Sequence, residues 1–103
     1  MAGKRERGLF FHGRKSGIGL TAVRLTARTD FSFQTGGVLV QASKDNTDIV
    51  YVGSTDSVTA DSADLTDGFP LSKNANVVVE IDDPSKIFLI ADAEDQKVFW
   101  IGQ

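Results

Sequence analysis

From Ile18 onward the chain alternates short apolar runs with polar, glycine-bearing segments. IGLTAVRLTA, residues 18–27, is rich in β-branched and apolar side chains and carries no helix-capping box, which predicts a strand. FSFQ at 31–34 reads as a short extended piece and Gly36-Gly37 as a turn. VLVQAS at 38–43 predicts the next strand, KDNTD at 44–48 a polar loop, and DIVYVG at 48–53 another strand. In NVVVEID, residues 76–82, Val77, Val79 and Ile81 share one face, and Asp83-Pro84 closes the run because proline cannot continue a ladder. KIFLIA at 86–91, a DAEDQ turn and KVFWIG at 97–102 complete the set. No run shows a sustained helical stripe. The pattern predicts an all-β protein, a small antiparallel β-sandwich or barrel.

Three runs, VYV, IFLIA and VFWI, place apolar residues on both strand faces rather than on alternate positions. A half-buried strand of a small sandwich carries polar groups on its outer face, so these runs call for a second covering layer. A chain of 103 residues has little left to supply one. The pattern therefore points to a homo-oligomer or a docking surface.

Composition narrows the class. The length fits one domain, and 41% apolar with 24% charged residues is ordinary for a globular chain. The absence of cysteine excludes disulfides, thiolate metal sites and cysteine nucleophiles. The apolar runs are too short to span a membrane, and the N-terminus has no secretory pattern, so synthesis in a cytoplasm and no membrane partner are expected.

Charge divides the chain. Residues 1–17 hold five basic residues and one acidic, net +4, whereas 18–103 hold six basic and thirteen acidic, net −7. An extended basic N-terminal arm, residues 1–17, is thus expected on a β-domain of residues 18–103. Such arms bind nucleic acid, an acidic protein surface or a neighbouring subunit. The acidic body would repel phosphate and offers no second basic patch, which argues against nucleic acid. Leu9, Phe10 and Phe11 are large apolar residues that a purely solvated tail does not need. The expected partner-binding residues are therefore Lys4, Arg5, Arg7, Leu9, Phe10, Phe11, Arg14 and Lys15, against a different polypeptide. Burial of a large apolar side chain is worth roughly 1.5–3 kcal/mol and an exposed ion pair about 0–1, so apolar contacts should dominate the grip.

The segment STDSVTADSADLTDG, residues 54–68, carries Asp56, Asp61, Asp64 and Asp67. An EF-hand loop needs ligands at alternate positions and a closing glutamate, and neither is present. A carboxylate pair of the glycosidase kind needs a cleft with aromatic platforms, and this chain has one Trp and one Tyr. His12 lies in the arm, where a Ser/His/Asp arrangement would lack a frame. No phosphate-loop, dinucleotide or HExxH pattern occurs. The expectation is a turn in which Asp and Ser bond local backbone, Leu65 returns to the core and Gly68 makes the bend. No catalytic residue, metal or cofactor is assigned.

The stretch from Val38 to Gly102 resembles a pattern in small virion proteins of tailed bacteriophages. In it a V-x-A strand leads to N-T-x-x-V-Y-V-G, then V-T, an L-x-x-G turn, I-F-L-I-A and a final V-x-W. Here the pattern falls on Asn46, Thr47, Val50, Tyr51, Val52, Gly53, Val58, Thr59, Leu65, Gly68, Ile87 and Trp100. The resemblance implies a non-enzymatic, oligomeric β-protein on a virus shell. A capsid decoration or cement protein is expected, trimeric and bound to the major capsid protein. The alternative is a binding module of a tail or head fibre, sugar-recognising or calcium-dependent. The basic arm lies outside the pattern.

Overall fold

The computed structural model describes residues 11–27, 37–61, 65–81 and 83–102. They form eight strands in two four-stranded antiparallel sheets. The strands are β1 (Phe11–Ile18), β2 (Val23–Arg24), β3 (Val38–Ala42), β4 (Val50–Gly53), β5 (Phe69–Leu71), β6 (Asn76–Val79), β7 (Phe88–Ala91) and β8 (Gln96–Gly102). The first sheet has the order β1-β8-β3-β6 and the second β2-β7-β4-β5. The fold is an antiparallel sandwich and is not closed into a barrel.

Alternation along the strands builds the core. In β3, Val38, Val40 and Ala42 point inward, and in β8 Gln96, Val98, Trp100 and Gly102 do the same. From the second sheet Val50, Val52, Leu71, Leu89 and Ala91 meet them. Ile18 is also fully buried, and it reaches the core through a register shift between Lys15 and Ile18 where Gly17 has φ +68°. That left-handed residue is one that glycine adopts without strain. Between β6 and β7, Asp83 caps a short 3-10 turn, Pro84–Lys86. Its carboxylate accepts the Ser85 N–H at 2.9 Å and the Ser85 hydroxyl at 2.7 Å.

The strands expected at 38–43, 48–53, 76–82 and 86–91 are present with trimmed ends, and the one expected at 97–102 begins one residue earlier, at Gln96. Two others were not anticipated. β5, FPL, contains Pro70, which an edge strand tolerates because one of its sides carries no ladder. β1, FHGRKSGI, has two glycines and three basic or imidazole side chains and no apolar alternation, yet pairs from Phe11 to Ile18 with β8. The strand expected over 18–27 is correspondingly reduced to Val23–Arg24, and residues 11–17, expected in the arm, belong to the sheet. FSFQ and Gly36 lie outside the described residues.

The connection from β3 to β4 carries the chain from one sheet to the other, and buried amide side chains hold it. The Asn46 side chain donates to the Lys97 carbonyl and accepts the Lys97 N–H, both at 2.9 Å, extending the β3–β8 ladder by one side chain. Gln96, only 2% exposed, accepts the N–H groups of Thr47 and Asp48 at 2.9 and 3.0 Å. Its amide nitrogen donates to the Thr47 hydroxyl and the Glu94 carbonyl. Every hydrogen-bonding atom of the Gln96 side chain is thus used.

Removing that amide orphans buried groups, each costing about 1–3 kcal/mol. Gln96→Ala and the volume-preserving Gln96→Leu are both expected to lower unfolding free energy by roughly 2–3 kcal/mol in denaturant titrations. A Leu variant as stable as the parent would show that packing, not hydrogen bonding, is what Gln96 contributes.

Candidate functional site

The three doubly apolar strands meet different fates. In β4, Val50 and Val52 face the core while Tyr51 faces outward, yet all three are buried. The cover over Tyr51 is the acidic loop itself. Val58, 5% exposed, packs down between Gly53 and Gly68. A Cβ at Gly68 would lie 2.8 Å from Val58 Cγ2 and 2.9 Å from Tyr51 Cβ, and one at Gly53 would also collide with Val58. Both glycines therefore admit the loop to the sheet. Thr59 pins it: its N–H bonds the Thr66 carbonyl, its carbonyl accepts the Gly68 N–H, and its hydroxyl donates to Asp67 at 2.8 Å. The covering layer comes from the chain's own loop, not from a partner. The expected return of Leu65 to the core is corrected: Val58 is the loop residue that becomes buried, against the outer face of β4, and Leu65 is fully exposed.

In β7 the outward Phe88 lies under the Arg24 guanidinium, 5.1 Å from ring centroid to Cζ, and Arg24 also donates to the Ser85 carbonyl. In β8 nothing among the described residues covers the outer face. Phe99 and Ile101 are 46% and 41% exposed. The registers place Ile101 level with Leu39 and Val78, and Phe99 level with Gln41 and Arg14. The outer face of the first sheet therefore carries an apolar patch, Leu39, Val78, Phe99 and Ile101, bordered along β1 by His12 and Arg14.

The expected partner-binding residues separate accordingly. Arg14 stands exposed beside Phe99 on this face. Phe11 and Lys15 share the inner side of β1; Phe11 packs against the protein's own core rather than waiting for another chain. His12 lies in a strand paired with β8, so the expectation that it lacks a frame is corrected. Lys4, Arg5, Arg7, Leu9 and Phe10 lie outside the described residues. Leu39, Val78, Phe99 and Ile101 were missing from the expected site, although VFWI already signalled two of them.

No protein-family model, no curated protein and no solved structure matches this chain. Among the described residues, no group of three or more His, Asp or Glu side chains is arranged to hold a metal ion. Among them, too, no helix is long and apolar enough to cross a membrane. The acidic groups act on Tyr51. Its hydroxyl donates to Asp92 at 3.2 Å. Burial first, then that bond and the charges of Asp92, Asp61 and Asp67, push its pKa up to about 12 from 10.0. At the other end of the scale, the two bonds from Ser85 hold the Asp83 carboxyl below its ordinary value.

Because Tyr51 is the one tyrosine in the chain, phenolate absorbance reports it alone. It is expected to titrate near pH 12. Asp92→Asn should bring the midpoint back toward the ordinary value. A raised folded pKa means that stability is complete below pH 10.0 and declines as pH climbs toward about 12. Asp83 has the opposite sign. Its contribution is present above the ordinary 3.8 and fades as pH falls below it, and Ser85→Ala, which deletes the hydroxyl bond but keeps the backbone one, should weaken that acid-side dependence. A Tyr51 midpoint at the ordinary value would contradict the buried placement under the loop.

Proposed function

We propose that this protein is a non-enzymatic bacteriophage virion protein, a capsid decoration or cement protein that binds the major capsid protein as an oligomer, with a trimer favoured. The observation that carries the reading is the apolar patch on the outer face of the first sheet. Isolated exposed apolar residues are normal, but here four adjoin across three neighbouring strands and are edged by Arg14. A flat, mostly apolar sheet face with a basic margin suits adhesion to another protein surface better than capture of a small substrate. The resemblance of residues 38–102 to small virion proteins supplies the identity of that surface. Localisation on the shell and absence of a cofactor, nucleic-acid partner or membrane partner belong to the same proposal. The alternative, a fibre- or tail-associated sugar or calcium module, draws less support, because Trp100 and Tyr51 are buried rather than displayed as platforms.

Cosedimentation with purified capsid shells tests this. The parent protein should pellet with shells, and Phe99→Asp with Ile101→Asp should abolish pelleting. Both side chains point outward but are about half buried on an interior strand, so each substitution should cost about 1 kcal/mol of stability while circular dichroism keeps the parent's strand signal. A parent protein that never binds shells, and that electron microscopy does not find on the virion, would overturn the proposal.

A further inference from the structure

The sandwich is open along one flank. β5 and β6 are the outer strands of their sheets and do not pair with each other. Between them lies a groove of about 640 Å³. Its walls are apolar: Val52 and Phe69 from the second sheet, Val77, Val79 and Ile81 from the β6 side, with Leu65 on the rim. Phe69 and Leu65 are 56% and 104% exposed, large apolar side chains left facing this opening. Asp67, Glu80 and Lys86 are the charged lining residues, and Asp61 stands in the same acidic loop. Among the described residues β6 pairs with β3 alone, which leaves its other side facing the groove as an edge suited to strand addition.

We propose that this groove receives the N-terminal segment, residues 4–10, of a second copy of the chain. Its chemistry matches in order. Leu9 and Phe10 suit the apolar walls, and Lys4, Arg5 and Arg7 against the single Glu6 suit the acidic loop above them. Topology favours a second copy over the chain's own groove. β1, from which the segment leaves, is the edge strand opposite β6, with β8 and β3 between them. Ten extended residues span up to about 33 Å, enough to reach a neighbour. The contact is heterologous, segment on one copy and groove on the next, so repetition closes a ring, and three copies form the ring the proposed function favours. The inference rests on the oligomeric part of that reading and is independent of shell binding.

The test is sedimentation velocity of the full chain without capsid. The parent should sediment as an oligomer. Leu9→Asp with Phe10→Asp, which spoils the segment, should give monomer, and so should Leu65→Asp with Phe69→Asp, which spoils the groove. Circular dichroism of both should match the parent, since the groove positions are exposed. Mixing the two variants restores one intact segment–groove pair, so the mixture should form dimers that neither forms alone. A monomeric parent overturns the inference, as does an oligomer that survives either pair of substitutions, or a mixture that stays monomeric. The segment lying in its own groove would give the first of these. Loss of shell binding by the Phe99 and Ile101 variants leaves sedimentation unchanged, so the two proposals fail separately.

Discussion

The crossing from β3 to β4, one of several by which the chain changes sheet, is fixed by a buried polar anchor. Asn46 reads the backbone of Lys97 as a strand would, and Gln96 fills the space behind it with four hydrogen bonds. Apolar burial drives the sheets together but is indifferent to small slips, whereas these bonds have directions and distances. With β3 and β4 fixed relative to β8, Val40 and Trp100 on one side meet Val50 and Leu89 on the other. An interior built this way tolerates no change at residues 46 and 96 that leaves a donor or acceptor behind. Both residues would otherwise read as ordinary loop and strand-end polars.

The same frame decides which apolar residues are spare. A sandwich of this size must cover its second faces with loops, and among the described residues the long connection from β4 to β5 does so. That loop is committed to β4, where Val58 lies over Tyr51 and two glycines let it close. Two of its carboxylates, Asp61 and Asp67, stand near enough to the buried phenol to help raise its pKa. Arg24 shields part of β7. Nothing comparable among the described residues reaches the outer face of β8 or the gap between β5 and β6, and these two places hold the exposed Phe99, Ile101, Val78, Phe69 and Leu65. A patch and a groove on different faces provide two separate contacts, one for a surface and one for a neighbour.

Much of the fold was legible in the sequence, for a physical reason. NVVVEID sets Val77, Val79 and Ile81 on the one face that packs against the core, and Asp83-Pro84 marks a stop that proline chemistry requires. β1 escaped because its partner, not its composition, makes it a strand: edge pairing with β8 overrides the glycines and charges of FHGRKSG. β5 escaped because Pro70 argues against a strand unless the strand is known to lie at an edge. The acidic loop was read as a loop, but which of its residues turns inward depended on the positions of Gly53 and Gly68 across the sheet. Leu65 was expected to turn inward, and the structure buries Val58 instead. The exposed patch was half visible in VFWI, and the covering of VYV was not, because sequence does not tell which loop folds over which strand.

Hydrogen exchange at individual amides measures the anchor most directly. If Asn46 and Gln96 hold the crossing between sheets, the amides of Thr47, Asp48 and Lys97 open only on global unfolding. They should then be as protected as those of Val40 and Val98 at the centre of the ladder. Exchange of Thr47 and Asp48 at the rate of the exposed Ser54–Ser57 turn would contradict the account, since the crossing would then be held by the apolar core alone.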